Sequence, residues 1–306
     1  MSTFSSRYNS AMDSFAFPGL DQVQLLDSGN AEKLERYGPY VLRRPDPQAL
    51  WRPRRPAAEW AAADYAFERE SDRGGKWHRA RPELPESWPI EVGGATLLIR
   101  PTPFKHVGLF PEQAANWQWV EARRQELVPQ LDEPPRLLNL FGYTGAASVL
   151  AAQAGWEVTH LDASRASLDW AAENARLSGL GERAMRWILD DAARFTARER
   201  RRERSYHGIL LDPPHFGRGP KGETWRFEQG IMDLLADAHA LLAPTPGSFL
   251  VLSSYAIGCS PLAFDGMLQD LGPGGIASGE LWLPEAEGDR RLPCGFCARW
   301  WRTTDG

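Results

Sequence analysis

Of the 306 residues in this chain, the run Leu137-Leu138-Asn139-Leu140-Phe141-Gly142-Tyr143-Thr144-Gly145-Ala146 constrains the fold most, because it carries an apolar strand into a glycine turn and on into a helix. Such a turn leaves the first helical amides without partners, at the sheet edge where open α/β folds bind ligands. Aligned on Gly142, the glycine fingerprint of a pyrophosphate cradle needs glycines where Thr144 and Ala147 stand. An adenosyl ligand without phosphates fits better.

About twenty residues after Gly142, Asp162 closes a second strand, Trp156 to Leu161, where a carboxylate can accept hydrogen bonds from both ribose hydroxyls. A helix N-cap is the other reading of an acidic residue there. Together, the turn and the carboxylate suggest S-adenosylmethionine. A helix is expected over Ser164 to Ser178. Trp187-Ile188-Leu189 then leads into Asp190-Asp191, a carboxylate able to take an adenine amino group. A fourth strand, Gly208-Ile209-Leu210-Leu211, runs into Asp212-Pro213-Pro214-His215-Phe216. Successive strands thus finish in polar or glycine residues at the ligand-binding edge.

These residues resemble class I S-adenosylmethionine-dependent methyltransferases of the bacterial large-subunit rRNA type, over roughly residues 88 to 302. That family reads Leu-Asn-x-Phe-x-Tyr-Thr-Gly at its cofactor strand and Asp-Pro-Pro-x-Phe after its fourth. The resemblance implies that Asn139, Phe141, Tyr143 and Gly145, with the intervening Gly142 and Thr144, surround the methionine part of the cofactor. By the same route Asp162 holds the ribose, Asp191 meets the adenine, and Asp212 with Pro213 lines the methyl-transfer site. Phe104 to Gln113 is similar to the family's segment entering the first helix of the catalytic domain; a simple linker is its other reading.

In the Asp212 to Phe216 motif, two prolines restrict the backbone and remove amide donors, so carbonyls and carboxylate remain to accept hydrogen bonds from an amino group. Phe216 can stack on a flat base. His215 intervenes where the family's amino-group methyltransferases place the aromatic residue, and it stands where lysine is usual, so exocyclic-amine methylation does not follow directly. His215 offers a proton acceptor or an ordinary surface imidazole. Gly217 to Gly222 reads as a flexible basic loop, either a phosphate clamp or a lid.

Cytosine C5 methylation needs a thiolate, which relatives supply from the loop after the fifth strand. Here that loop reads Ser253-Ser254-Tyr255-Ala256-Ile257-Gly258-Cys259, and Cys259 lies too far along to be the expected nucleophile. Cys294 and Cys297 form a lone CxxC on an expected strand, with side chains on opposite faces, so no metal is assigned.

Three cysteines, no basic-then-apolar start and no apolar run of the roughly 18 residues a span requires point to a cytoplasmic protein away from membranes. A formal net charge of -5 opposes RNA binding on average. Yet Lys33, Lys76, Lys105 and Lys221 are the only lysines among 35 basic residues, and arginines cluster at Arg43-Arg44, Arg52 to Arg55 and Arg198 to Arg204. Arginine's planar fork suits phosphate, whereas the mixed signs of the last run suit a solvated helix end.

The expected organisation is a polar, loosely held segment over 1–35, a small β-rich domain over 36–110 and a methyltransferase domain over 111–306. Within the β-rich domain, Tyr40 to Leu42 and Ala63 to Phe67 read as strands, and Ile90 to Val92 pairs with Ala95 to Ile99 across Gly93-Gly94. Helices over Glu112 to Val128 and Phe227 to Leu242 and strands at Ser248 to Leu252, Gly279 to Leu283 and Phe296 to Trp301 complete the pattern. The fold class is therefore α/β, a Rossmann-like seven-stranded methyltransferase sheet whose last strand is antiparallel. The preferred function is an enzyme methylating RNA, probed first in rRNA. A methyltransferase for a protein or small molecule, and an RNA-binding relative without turnover, remain alternatives; oligomeric state is not legible.

Overall fold

Apolar runs of about five residues bounded by glycine, proline or polar side chains are too short for stable helices and pair as strands. In the computed structural model, which describes residues 15–71, 74–181, 183–255 and 260–304, the chain divides into two compact units. The smaller comprises Phe17–Ala114 and Trp282–Cys294. The larger holds Ala115–Leu281 and the chain from Gly295 onward.

In the smaller unit, β1 (Val23–Gly29), β2 (Glu32–Tyr37), β3 (Tyr40–Pro45), β4 (Tyr65–Ser71) and β5 (Gly74–Arg79) form one sheet in chain order. Helix α1 (Ala57–Ala61) precedes β4, and β6 (Trp88–Val92) with β7 (Ala95–Ile99) makes the expected Gly93-Gly94 hairpin. Part of the stretch expected to be loosely held is β1, paired residue by residue with β2. Its polar letters hide the strand because they are buried with partners: Asp27 accepts the backbone N–H groups of Arg54 and Arg55 and the indole N–H of Trp60. The unit also reaches past residue 110 and takes back residues 282–294, where Leu283 and Leu292 pack with Leu25. No local pattern announces that return.

The larger unit opens with α2 (Ala114–Leu127), β8 (Arg136–Leu140), α3 (Ala146–Ala154), β9 (Glu157–Asp162), α4 (Arg165–Leu177) and β10 (Met185–Leu189). It continues with α5 (Ala192–Arg201), β11 (Gly208–Leu211), β12 (Phe216–Arg218), β13 (Thr224–Arg226), α6 (Phe227–Ala240), β14 (Phe249–Ser254), α7 (Pro261–Gln269), β15 (Gly275–Pro284) and β16 (Arg291–Trp301). Seven strands lie in the order β10-β9-β8-β11-β14-β16-β15, and β16 runs antiparallel to β14. This is the expected Rossmann-like methyltransferase sheet. Alternate residues Leu138 and Leu140, Ile209 and Leu211, and Leu250 and Leu252 join one core with Phe195, Leu234, Leu235 and Phe264 from the helices. No helix among the described residues is long and apolar enough to cross a membrane.

Candidate active site

Sheet register aligns the strand ends. Leu140 pairs with Leu211 and Leu211 with Leu252, so Phe141 and Asp212 leave the sheet side by side, next to Ser253 near the end of β14. Ser253 in turn pairs with Cys297.

The turn after β8 is strained and tightly supported. Phe141 and Tyr143 have φ of 59° and 49°, conformations that cost a non-glycine residue about 1–3 kcal/mol and persist only where neighbours over-determine them. The neighbours are identifiable. Gly142 N–H donates to the Leu161 carbonyl at 2.9 Å, and Tyr143 N–H donates to Asp162 Oδ2 at 2.9 Å. Buried Thr144 offers its carbonyl to Asn174 Nδ2 of α4 at 2.8 Å. Gly145 then starts α3 at φ 80°. At Gly142 a Cβ would lie 2.3 Å from His160 Cε1, so the turn closes down on that imidazole only with glycine.

Asn139 is buried and donates its amide to Ser148 Oγ of α3 at 2.9 Å; the hydroxyl sits 2.8 Å from His160 Nδ1. The Ser148 hydroxyl, with one proton and two lone pairs, thus links the Asn139 amide to the His160 ring. Burial pushes this imidazole down to about 4, so it is neutral near pH 7. Asn139 thus supports the turn from the opposite face of β8. Sequence reasoning missed His160 and Ser148; their polar character inside apolar elements was the available signal.

Asp162 ends β9 as expected. One carboxylate oxygen accepts from Tyr143 and the other from Ser164 N–H at 2.8 Å, while burial raises its pKa. Each oxygen retains acceptor capacity for a ligand hydroxyl. Ser164, not Asp162, caps α4. Of the next acidic pair, Asp190 is committed to Arg198 at 2.6 Å, and Asp191 caps α5 by accepting from Arg194 N–H at 3.0 Å. Asp191 therefore fills the helix-capping role and keeps a second oxygen for a ligand.

Beyond β11, Asp212 is half-buried and Pro213 buried, while Pro214, His215 and Phe216 are exposed, Phe216 to 51%. His215 Nε2 lies 2.7 Å from Glu228 Oε1. Two expectations change here. Residues 217–222 are not a free loop but the end of a hairpin in which β12 pairs with β13, closed by Gly219 N–H on the Glu223 carbonyl. Nor are both proline carbonyls available, because Trp225 Nε1–H donates to the Pro214 carbonyl at 2.7 Å. Alternation in Thr224-Trp225-Arg226, with only the tryptophan buried, was the signal for this strand.

Cys259 lies outside the described residues. Cys297, beside Ser253, is fully buried and bonded to Asn116 Oδ1 at 3.3 Å; burial pushes its thiol up, which keeps it protonated. It is not poised as a nucleophile.

No family model matches the chain. A crystal structure of an S-adenosylmethionine-dependent methyltransferase from Agrobacterium tumefaciens is 41% identical with a TM-score of 0.87, covering 92% of this chain and 91% of that one. Ribosomal RNA large subunit methyltransferase K/L of Syntrophotalea carbinolica is 30% identical over 188 residues, 61% of this chain and 24% of that protein. Its counterpart in Alteromonas mediterranea is 31% identical over 177 residues, 57% of this chain and 24% of that protein. The chain thus spans about a quarter of the length of these curated relatives.

Proposed function

This chain belongs to the S-adenosylmethionine-dependent methyltransferases, and we propose that it methylates a base of RNA, within ribosomal RNA, in the cytoplasm. The observation that carries the RNA reading is the hairpin beside Asp212. It presents exposed Phe216 together with Arg218, Lys221 and Arg226, none of which makes an ion pair among the described residues. Most of the arginine runs noted in the sequence behave differently: Arg43, Arg44, Arg54, Arg55, Arg198, Arg200 and Arg202 each pair with a carboxylate, while Arg52, Arg201 and Arg204 make no ion pair among the described residues. Unpaired cations next to an aromatic face fit a phosphate backbone and a stacked base.

The turn fits an adenosyl ligand on its own geometry, through the retained acceptor capacity of Asp162 and Asp191. Asp162 is assigned to the ribose and Asp191 to the adenine. Phe141, Gly142, Tyr143, Thr144 and Gly145 form the wall at the methionine end, with Asn139 behind it. When bound, S-adenosylmethionine supplies an electrophilic methyl group on a sulfonium. Asp212 and the Pro213 carbonyl accept hydrogen bonds from the acceptor base, and Phe216 stacks on it. His215, donating Nε2–H to Glu228, keeps Nδ1 as a site for the proton released.

Labelled S-adenosylmethionine incubated with extracts of a strain lacking the protein tests the reading. Label is expected in the ribosomal RNA fraction. Label confined to protein or small molecules defeats the RNA reading, and cofactor binding with no label in any fraction defeats the enzymatic one.

A further inference from the structure

Proline fixes φ but not ψ, so the Asp212-Pro213-Pro214 corner does not by itself determine where the Pro214 carbonyl points. Something else must set that rotation. Trp225, only 8% exposed, sits across from Gly217 in the hairpin register and donates its indole N–H to the Pro214 carbonyl at 2.7 Å. The same ring lies 5.6 Å from Phe141, the first strained residue of the turn after β8. One side chain therefore touches both halves of the proposed site.

The indole is itself held in place from several directions. Position 230 on α6 has room only for glycine, since a Cβ there would come within 2.8 Å of Trp225 Cζ3. Phe227 N–H bonds the His215 carbonyl at 3.0 Å, joining the end of the hairpin to the corner. Glu223 pairs with Arg194 on α5 and anchors the strand that carries Trp225.

We propose that Trp225 is a positioning residue for methyl transfer, its indole N–H setting the Pro214 carbonyl while its ring braces Phe141, so that the acceptor corner and the cofactor turn keep one mutual geometry. This rests on the methyltransfer reading of both sites given above. Transfer between two bound groups depends steeply on their alignment, and small displacements lower the rate without weakening binding.

Full-length wild type, Trp225→Phe and Trp225→Leu distinguish the roles. Trp225→Phe keeps a ring against Phe141 but removes the N–H. It is expected to lower kcat toward RNA about tenfold, with S-adenosylhomocysteine affinity by calorimetry within about twofold. Trp225→Leu is expected to lose cofactor affinity as well. An unchanged kcat in folded Trp225→Phe overturns the proposal, as does a loss of kcat matched by an equal loss of affinity. Should wild type transfer nothing to RNA, the functional reading fails separately, and the indole N–H resonance still decides. That resonance is the one missing from the Trp225→Phe spectrum. Its shift on adding S-adenosylhomocysteine supports the proposal; a signal that stays put overturns it.

Discussion

At the turn from Phe141 to Gly145, backbone strain is held by hydrogen bonds from neighbouring elements, whereas the corner from Asp212 to Phe216 carries two prolines and its last three residues stand in solvent. The first construction suits a ligand that is the same in every reaction cycle, because preorganised amides and carboxylates lose little entropy when it binds. The second suits a large acceptor. The corner carries Arg218, Lys221 and Arg226 nearby, and the turn carries a chain of buried polar contacts, Asn139 to Ser148 to His160. Within one sheet edge, then, rigidity and exposure are separated by a single strand spacing.

The sharpest way to break this comparison is Asp212→Ala. If the corner serves the acceptor alone, methyl transfer is expected to fall by about 10²-fold or more while S-adenosylhomocysteine affinity stays within a few-fold. Calorimetry showing both lost together would make the corner part of the cofactor site. Asp162→Ala probes the other half. Loss of hydrogen bonds to a charged group is expected to weaken cofactor binding by about 1.5–3 kcal/mol, with a lower unfolding midpoint because Tyr143 and Ser164 lose their acceptor. Unchanged affinity in a folded variant would remove Asp162 from the ribose.

The smallest expected effect concerns pH. His160 is held near 4, below its ordinary 6.5, so between those values the unfolded chain binds a proton that the folded chain does not. Its contribution is present above about 6.5 and is lost as pH falls toward about 4. Burial also lowers His207 and His239 in the same unit and His106 in the smaller one, whereas the Asp162 carboxyl is raised and acts in the opposite sense as pH falls. Comparison of wild type with His160→Gln isolates the one group: the variant is expected to lose less of its unfolding midpoint between pH 6.5 and 4. Parallel curves would show that the imidazole does not sense this window.

Local pattern made most of the larger unit legible. The apolar runs ending at Leu140, Leu211 and Leu252, and the positive-φ Gly145, fall where period and turn chemistry place them, because short buried strands and glycine turns leave strong local marks. The smaller unit was harder. Asp27 and Ser28 look like loop residues until Arg54, Arg55, Trp60 and Glu285 arrive to satisfy them.

Sequence alone determined the strand-turn-helix at Gly142, the carboxylate at Asp162, the Asp-Pro-Pro corner and the α/β class, since each depends on residues close in the chain. Only the tertiary structure decided that His160 lies under Gly142, that Cys297 is a buried thiol beside Ser253, and that Trp225 takes the Pro214 carbonyl. The reason is physical. Backbone conformation responds to neighbours a few residues away, but a buried polar atom or an indole N–H finds its partner through packing of distant elements, and no local periodicity encodes that pairing.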